Sequence, residues 1–155
     1  DFPGDNPLAG VELQRRIEEA AFEAGERGFG APVQRYGDFA EGRVSQKEGT
    51  VKHSYRPNAV FADLNKVLPE FISEALKEAI PQMGRRLKGF DSPDAIMTGV
   101  ETRSSSPVRI VRGADGQSLS LTGLYPAGEG AGYAGGIVSA AVDGVRQAEN
   151  IIKNS

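Results

Sequence analysis

The run Gly123-Leu-Tyr-Pro-Ala-Gly-Glu-Gly-Ala-Gly-Tyr-Ala-Gly-Gly136 constrains this chain most. Glycine inside a helix or strand costs about 0.5–1 kcal/mol relative to alanine, so a segment this rich in glycine must join regular elements rather than form one. Glycine makes up about 13% of the 155 residues, against a usual ~7%, and a dense group falls between Gly123 and Gly144. Before the run, Leu119 and Leu121 alternate with Ser118 and Ser120, which predicts a strand. After it, Ile137, Ala140, Ala141, Val145, Ala148 and Ile152 recur at helical spacing on one face. Gly130, Gly132 and Gly135 match G-x-G-x-x-G between a strand and a helix, the setting of a dinucleotide fingerprint. Glycines let backbone approach a ligand closely, and a helix start offers free N–H groups and positive potential. That fingerprint also requires a second strand, and too little sequence follows the helix to supply one. The turn therefore cannot begin a dinucleotide fold within this chain, although it could still end one. The competing reading is a tight strand–helix junction, glycine-rich only for packing.

The rest of the chain predicts an α+β fold: a helical N-terminal part, then a small β-hairpin or sheet, then the closing C-terminal helix. Asn6-Pro7 reads as an N-cap for a helix over 7–24, with Gly25 as its C-cap. Residues 25–58 are punctuated by glycine and proline and read mostly as loop, with short extended pieces at Pro32–Tyr36 and Gly49–Lys52. Leu68, Phe71, Ile72, Ala75, Leu76, Ala79 and Ile80 form a helical stripe after a short helix at 62–67. Pro81 should kink or restart that helix, and Gly89 should end it. Period-two alternation predicts strands at 95–101, 107–112 and 117–125, with a hairpin turn at Asp115-Gly116.

A net charge of −3, from 18 basic and 21 acidic residues, argues against a nucleic-acid partner. With no cysteine, disulfide, thiolate and cysteine–metal chemistry are excluded, and a single histidine rules out a multi-histidine metal site. No metal site is expected. His53 lies in a polar loop and reads as an exposed, idle histidine before a proton donor. No apolar run reaches the ~18 residues of a membrane span, and no signal peptide stands at the start. A cytoplasmic location without a membrane partner is expected. The loop-like opening at Asp1–Pro7 reads as the start of an excised piece of something longer.

The Gly123–Ala141 string resembles the C-terminal flavin motif of two-dinucleotide-type flavoproteins. It is most similar to a bacterial family of largely uncharacterised FAD-dependent dehydrogenases. Thr98-Gly-Val-Glu-Thr-Arg-Ser-Ser-Ser-Pro-Val-Arg-Ile110 and Asp1-Phe-Pro-Gly-Asp-Asn-Pro-Leu-Ala-Gly-Val-Glu12 resemble the same family. The resemblance implies that residues 1–92 are mainly inserted, substrate-side domain and that 93–155 return to complete the FAD-binding domain. It implies an oxidoreductase moving hydride between a small-molecule substrate and flavin, with this piece alone inactive. Glu129 would accept hydrogen bonds from the ribityl chain or the neighbouring ribose–phosphate. Its alternative is an exposed glutamate favouring the helix dipole. Gly128, Gly130, Gly132, Gly135, Gly136 and Ile137 would line FAD, with N–H groups from Gly132 onward facing the pyrimidine end of the ring. Tyr133 would pack beside the ring, or act as an ordinary packed aromatic. Thr102, Arg103 and Ser104 would line the flavin or substrate pocket, or form a solvated connection. The partner implied is the missing N-terminal FAD-binding portion, and apolar surface left uncovered there would favour a homodimer of the piece. The other functional reading is a non-catalytic helical binding or assembly module.

Overall fold

The computed structural model describes residues 6–103 and 105–154. The fold is α+β, and the chain divides into two compact units. The central unit is 15–101; the terminal unit combines 1–14 with 102–155. Helix α1 (Ala9–Ala24) begins in the terminal unit and ends in the central one. Its entry is capped as the sequence predicts: Asn6 Oδ1 accepts from Leu8 N at 2.9 Å. Its exit differs. The left-handed residues are Glu26 and Arg27, at φ 62° and 56°, not Gly25. Gly25 is needed for closeness instead, since a Cβ there would stand 2.1 Å from the Gly30 carbonyl oxygen.

The central unit is built on a three-stranded sheet of order β2-β1-β3. Strand β1 (Gly30–Arg35) runs parallel to β2 (Asn58–Phe61) and antiparallel to β3 (Ile96–Thr98). The register pairs Val33 with Phe61 on one side and with Thr98 on the other. As the middle strand, β1 is buried on both faces from Ala31 to Gln34. Around it lie α2 (Tyr36–Ala40), α3 (Leu64–Val67) and α4 (Glu70–Gly84). Ala21, Tyr36, Phe39, Leu64, Val67 and Ile80 form the apolar core. Fully buried Gln34 is satisfied on both ends: its Nε2 donates to Arg43 O, and its Oε1 accepts from Leu64 N. Buried Asp38 accepts from Ser45 Oγ (2.8 Å) and Arg35 Nε (2.9 Å). The Ser45 bond, then the Arg35 guanidinium, hold its carboxyl below the usual range.

Several expectations change here. Gly49–Lys52 is not a strand, whereas α2 emerges from the stretch read as loop, and β2 begins at its last residue and runs on to Phe61, where no element was expected. Helix α4 passes through Pro81, because only one backbone bond is lost, and it ends at Gly84 rather than Gly89. The segments 107–112 and 117–125 pair only through one antiparallel bridge, Arg112 with Ser118, around the expected Asp115-Gly116 turn. Ile110, Val111, Leu119 and Leu121 stay exposed, and a two-stranded ribbon without a covering layer does not hold a ladder.

The terminal unit ends in α5 (Ile137–Asn154), the helix expected after the glycine run. Its packing is the reverse of its pattern. Asp143 and Gln147 are the buried residues, while Ile137, Val138, Val145 and Ile152 are exposed. Among the described residues, no helix is long and apolar enough to cross a membrane.

Candidate functional site

The glycine-rich run folds as two nested reversals in the terminal unit. Gly132 N donates to Glu129 O at 2.9 Å, and Tyr133 N donates to Gly128 O at 3.0 Å. Gly128 and Gly132 both take left-handed backbone, at φ 68° and 80°. The segment before the Asp115-Gly116 turn lies alongside. Ile110 N donates to Ala131 O, Arg109 Nε donates to Gly132 O, and Ser106 Oγ stands 3.3 Å from Gly130 O.

A buried ion pair latches this turn to α5. Arg112 donates from Nη1 and Nη2 to the two oxygens of Asp143, at 2.9 and 2.6 Å. Nη1 also donates to Pro126 O at 2.7 Å, and Asp143 Oδ2 accepts from Gly128 N at 2.8 Å. Gln147, with its amide nitrogen on Gly116 O, accepts from Arg112 Nη1 at 3.0 Å. The two-point Arg112 contact, then the Gly128 N–H, hold the Asp143 carboxyl down to about 2. The Arg112 guanidinium lies over the Tyr133 ring, 3.7 Å from its centroid, and that of Arg109 lies 4.6 Å away. Tyr133 Oη accepts from Arg112 N at 3.0 Å. Arg112 and Asp143 were not singled out in the sequence. An Arg and an Asp 31 positions apart carry no local signal, and only the fold brings them together.

The residues singled out in the sequence fall as follows. Glu129 is half-buried at the tip of the reversal. Gly135 sits next to the polar loop, since a Cβ added there would lie 3.3 Å from Ser105 Oγ. Thr102 is half-buried, with its carbonyl accepting from Gln14 Nε2 at 2.5 Å; Arg103 is exposed, and Ser104 lies outside the described residues. The start of α5 carries no acidic residue in its first turn. Ser139 Oγ donates to Gly136 O, so it does not cap the helix. Among the described residues, no side chain accepts from the N–H groups of Ile137, Val138 or Ser139. His53 is half-buried rather than exposed, with Nε2 3.6 Å from Glu48 Oε1. Among the described residues, no group of three or more His, Asp or Glu is placed to hold a metal. A cavity of about 350 Å³ opens in the central unit between Glu18, Phe22, Tyr55, Gly99 and Glu101, and none of the candidate cofactor residues lines it.

The glycines of the fingerprint divide by role. A Cβ at Gly132 would meet Val108 O at 2.5 Å and Arg109 Cα at 3.0 Å, both backbone atoms. A Cβ at Gly130 would meet nothing within 4 Å. Gly132→Ala is therefore expected to destabilise the terminal unit by about 1–2 kcal/mol from the left-handed φ alone, with the clash in addition. Gly130→Ala should stay within about 0.5 kcal/mol of the parent. Denaturant titration of the two variants checks this, and equal losses would refute the division.

The terminal unit thus carries an open glycine-rich reversal ahead of the 18-residue helix α5, and free N–H groups at a helix start favour negative charge. The chain belongs to the family described as FAD-dependent protein, C-terminal domain-like, whose model matches residues 1–104. The glycine-rich turn lies beyond the matched segment. A protein of Clostridium beijerinckii, named only as uncharacterized, is 51% identical over 153 residues, which include the turn and α5. That match takes in 99% of this chain and 29% of the relative's length, so the chain spans under a third of it.

Proposed function

We propose that this chain supplies one wall of the flavin site of an FAD-dependent oxidoreductase of the dehydrogenase type. The carrying observation is the open reversal at Gly130 ahead of the start of α5, where, among the described residues, no side chain accepts from the first N–H groups. Membership in an FAD-dependent family supports FAD as the group that meets it. The residues present fit such a group: there is room at Gly130, a half-buried carboxylate at Glu129, and no acidic residue in the first turn of α5 to oppose an electron-rich ring. Gly128, Glu129, Gly130, Gly132, Tyr133, Gly135, Gly136 and Ile137 hold the cofactor in this reading. Bound flavin would supply the hydride chemistry, with an unnamed small-molecule substrate as the other party. Glu129 binds hydroxyl donors, because a carboxylate offers several acceptor sites. The N–H groups at the start of α5 stabilise negative charge developing beside them, which is electrostatic preorganisation. Thr102, Arg103 and Ser104 serve the substrate side, with Arg103 able to clamp an anion at two points. Residues 1–92 belong to the inserted domain and 93–155 to the returning FAD-binding portion.

The test uses the full-length polypeptide. It should purify yellow, with flavin absorbance, and Glu129→Ala should weaken FAD retention roughly tenfold, the order of one charge-assisted hydrogen bond. Gly130→Val should lower FAD retention at unchanged stability, because the space it fills is empty of protein. A folded, colourless polypeptide, or one in which Gly130→Val leaves flavin affinity intact, would overturn the reading and favour a packing-only turn in an assembly module.

A further inference from the structure

The cavity of the central unit holds about 350 Å³, within the roughly 300–1,000 Å³ of small-molecule pockets. Buried Pro32 of the middle strand β1 lines it. So do two aromatic rings, Phe22 of α1 and Tyr55, left 50% and 41% exposed. The lining includes the carboxylates of Glu18 and Glu101 and no Lys, Arg or His. Glu101 is exposed and has no ion-pair partner among the described residues.

The backbone adds an unmet acceptor. Gly99 N donates to Pro32 O at 3.0 Å, one step beyond the Val33–Thr98 pair in the register of β1 and β3. Antiparallel residues bonded in this way ordinarily exchange a bond in each direction. Pro32 has no N–H, so the return bond cannot form. Gly99 O therefore has no donor among the described residues, and Gly99 lines the cavity. The Thr98 and Tyr55 hydroxyls can donate or accept. An anionic ligand would meet like charge here. A neutral apolar one would leave the carbonyl and the carboxylate unused. A protonated amine meets both, because its N–H groups donate to oxygen and its charge is drawn to aromatic faces.

We propose that this cavity binds a small organic amine in its protonated, N–H-bearing form. The ammonium sits at Gly99 O and Glu101, and an apolar body lies against Phe22, Pro32 and Tyr55. The site lies wholly within the central unit and does not rest on the flavin reading, so a colourless polypeptide would leave it standing.

The test is calorimetric titration of the full-length polypeptide with benzylammonium, compared with benzyl alcohol, benzoate and benzyltrimethylammonium. Benzylammonium should bind at least tenfold more tightly than any of these, because it alone brings both positive charge and N–H donors. Glu101→Gln should weaken benzylammonium about tenfold, the order of one charge-assisted hydrogen bond, and leave benzyl alcohol unchanged. Tyr55→Leu should weaken it about threefold through the lost ring face. Both substitutions fall on exposed side chains, and parent-like melting curves should accompany them. Added benzylammonium should also slow amide exchange over residues 96–101, which locates the ligand. No benzylammonium binding at millimolar concentration would overturn the proposal. So would equal affinity for charged and neutral probes, parent-like affinity in Glu101→Gln, or protection confined to residues outside 15–101.

Discussion

Replacing Asp143 by Asn should cost the terminal unit about 3 kcal/mol and release the glycine-rich turn from α5. The size follows from burial. The Arg112 and Asp143 side chains are 15% and 12% exposed, so removing one charge strands the other in a poorly solvated site. The same change weakens the acceptor for Gly128 N, which donates to Asp143 Oδ2 at 2.8 Å. Hydrogen exchange at the Gly128 amide is thus the local readout and should accelerate even where global unfolding is unchanged. The pH dependence has a definite sign. The Asp143 carboxyl is depressed to about 2 in the folded protein, whereas an unfolded aspartate titrates near ~3.9. Its contribution to stability is fully present above about pH 4 and is lost as pH falls from there through about 2. Asn has no such titration, so the variant should lose this part of the acid dependence. A variant with parent-like Gly128 exchange and an unchanged acid profile would show that the pair holds nothing.

Phe39→Ala should destabilise the central unit by about 3–5 kcal/mol, the range for a large aromatic truncated in a core that cannot collapse. Phe39 has 0% exposure and packs with Leu64, Val67 and Ile80, which come from α3 and α4. Its removal leaves a cavity where α2, α3 and α4 meet and withdraws the ring beneath Lys77, whose ammonium stands 5.8 Å from its centroid. Phe71→Ala is the matched control. Phe71 is 65% exposed, and its loss should change stability by no more than about 0.5 kcal/mol. Chemical denaturation followed by amide exchange over residues 30–40 and 64–80 compares the two. Similar losses for both would mean that the core lies elsewhere.

The elements with their own local physics were legible in the sequence. The start of α1 follows from the Asn6 cap, α4 from its apolar period, and α5 from the glycine run that precedes it. The reversal at Asp115-Gly116 follows from turn chemistry. The family resemblance, carried by contiguous strings, led to the FAD-dependent group to which the chain belongs. What failed was long-range. Strand β2 was not expected because Asn58–Phe61 is short and becomes a strand only by pairing in parallel with β1, about 28 residues earlier in the chain. The segments 107–112 and 117–125 have strand-like alternation, but no described layer covers them, so the ladder stops at one bridge.

The glycine-rich turn shows the division most clearly. The sequence by itself determined that a reversal stands there and that a helix follows, because glycine content and apolar spacing are local properties. Only the tertiary structure decided which glycine serves which purpose, because that depends on atoms far away in the chain. Val108 and Arg109 close on Gly132, while Gly130 faces open space. Only the tertiary structure, too, turned α5 polar side inward. Arg112 offers Asp143 a two-point partner from 31 positions away, and that buried pair sets the helix face that the apolar period alone would have reversed.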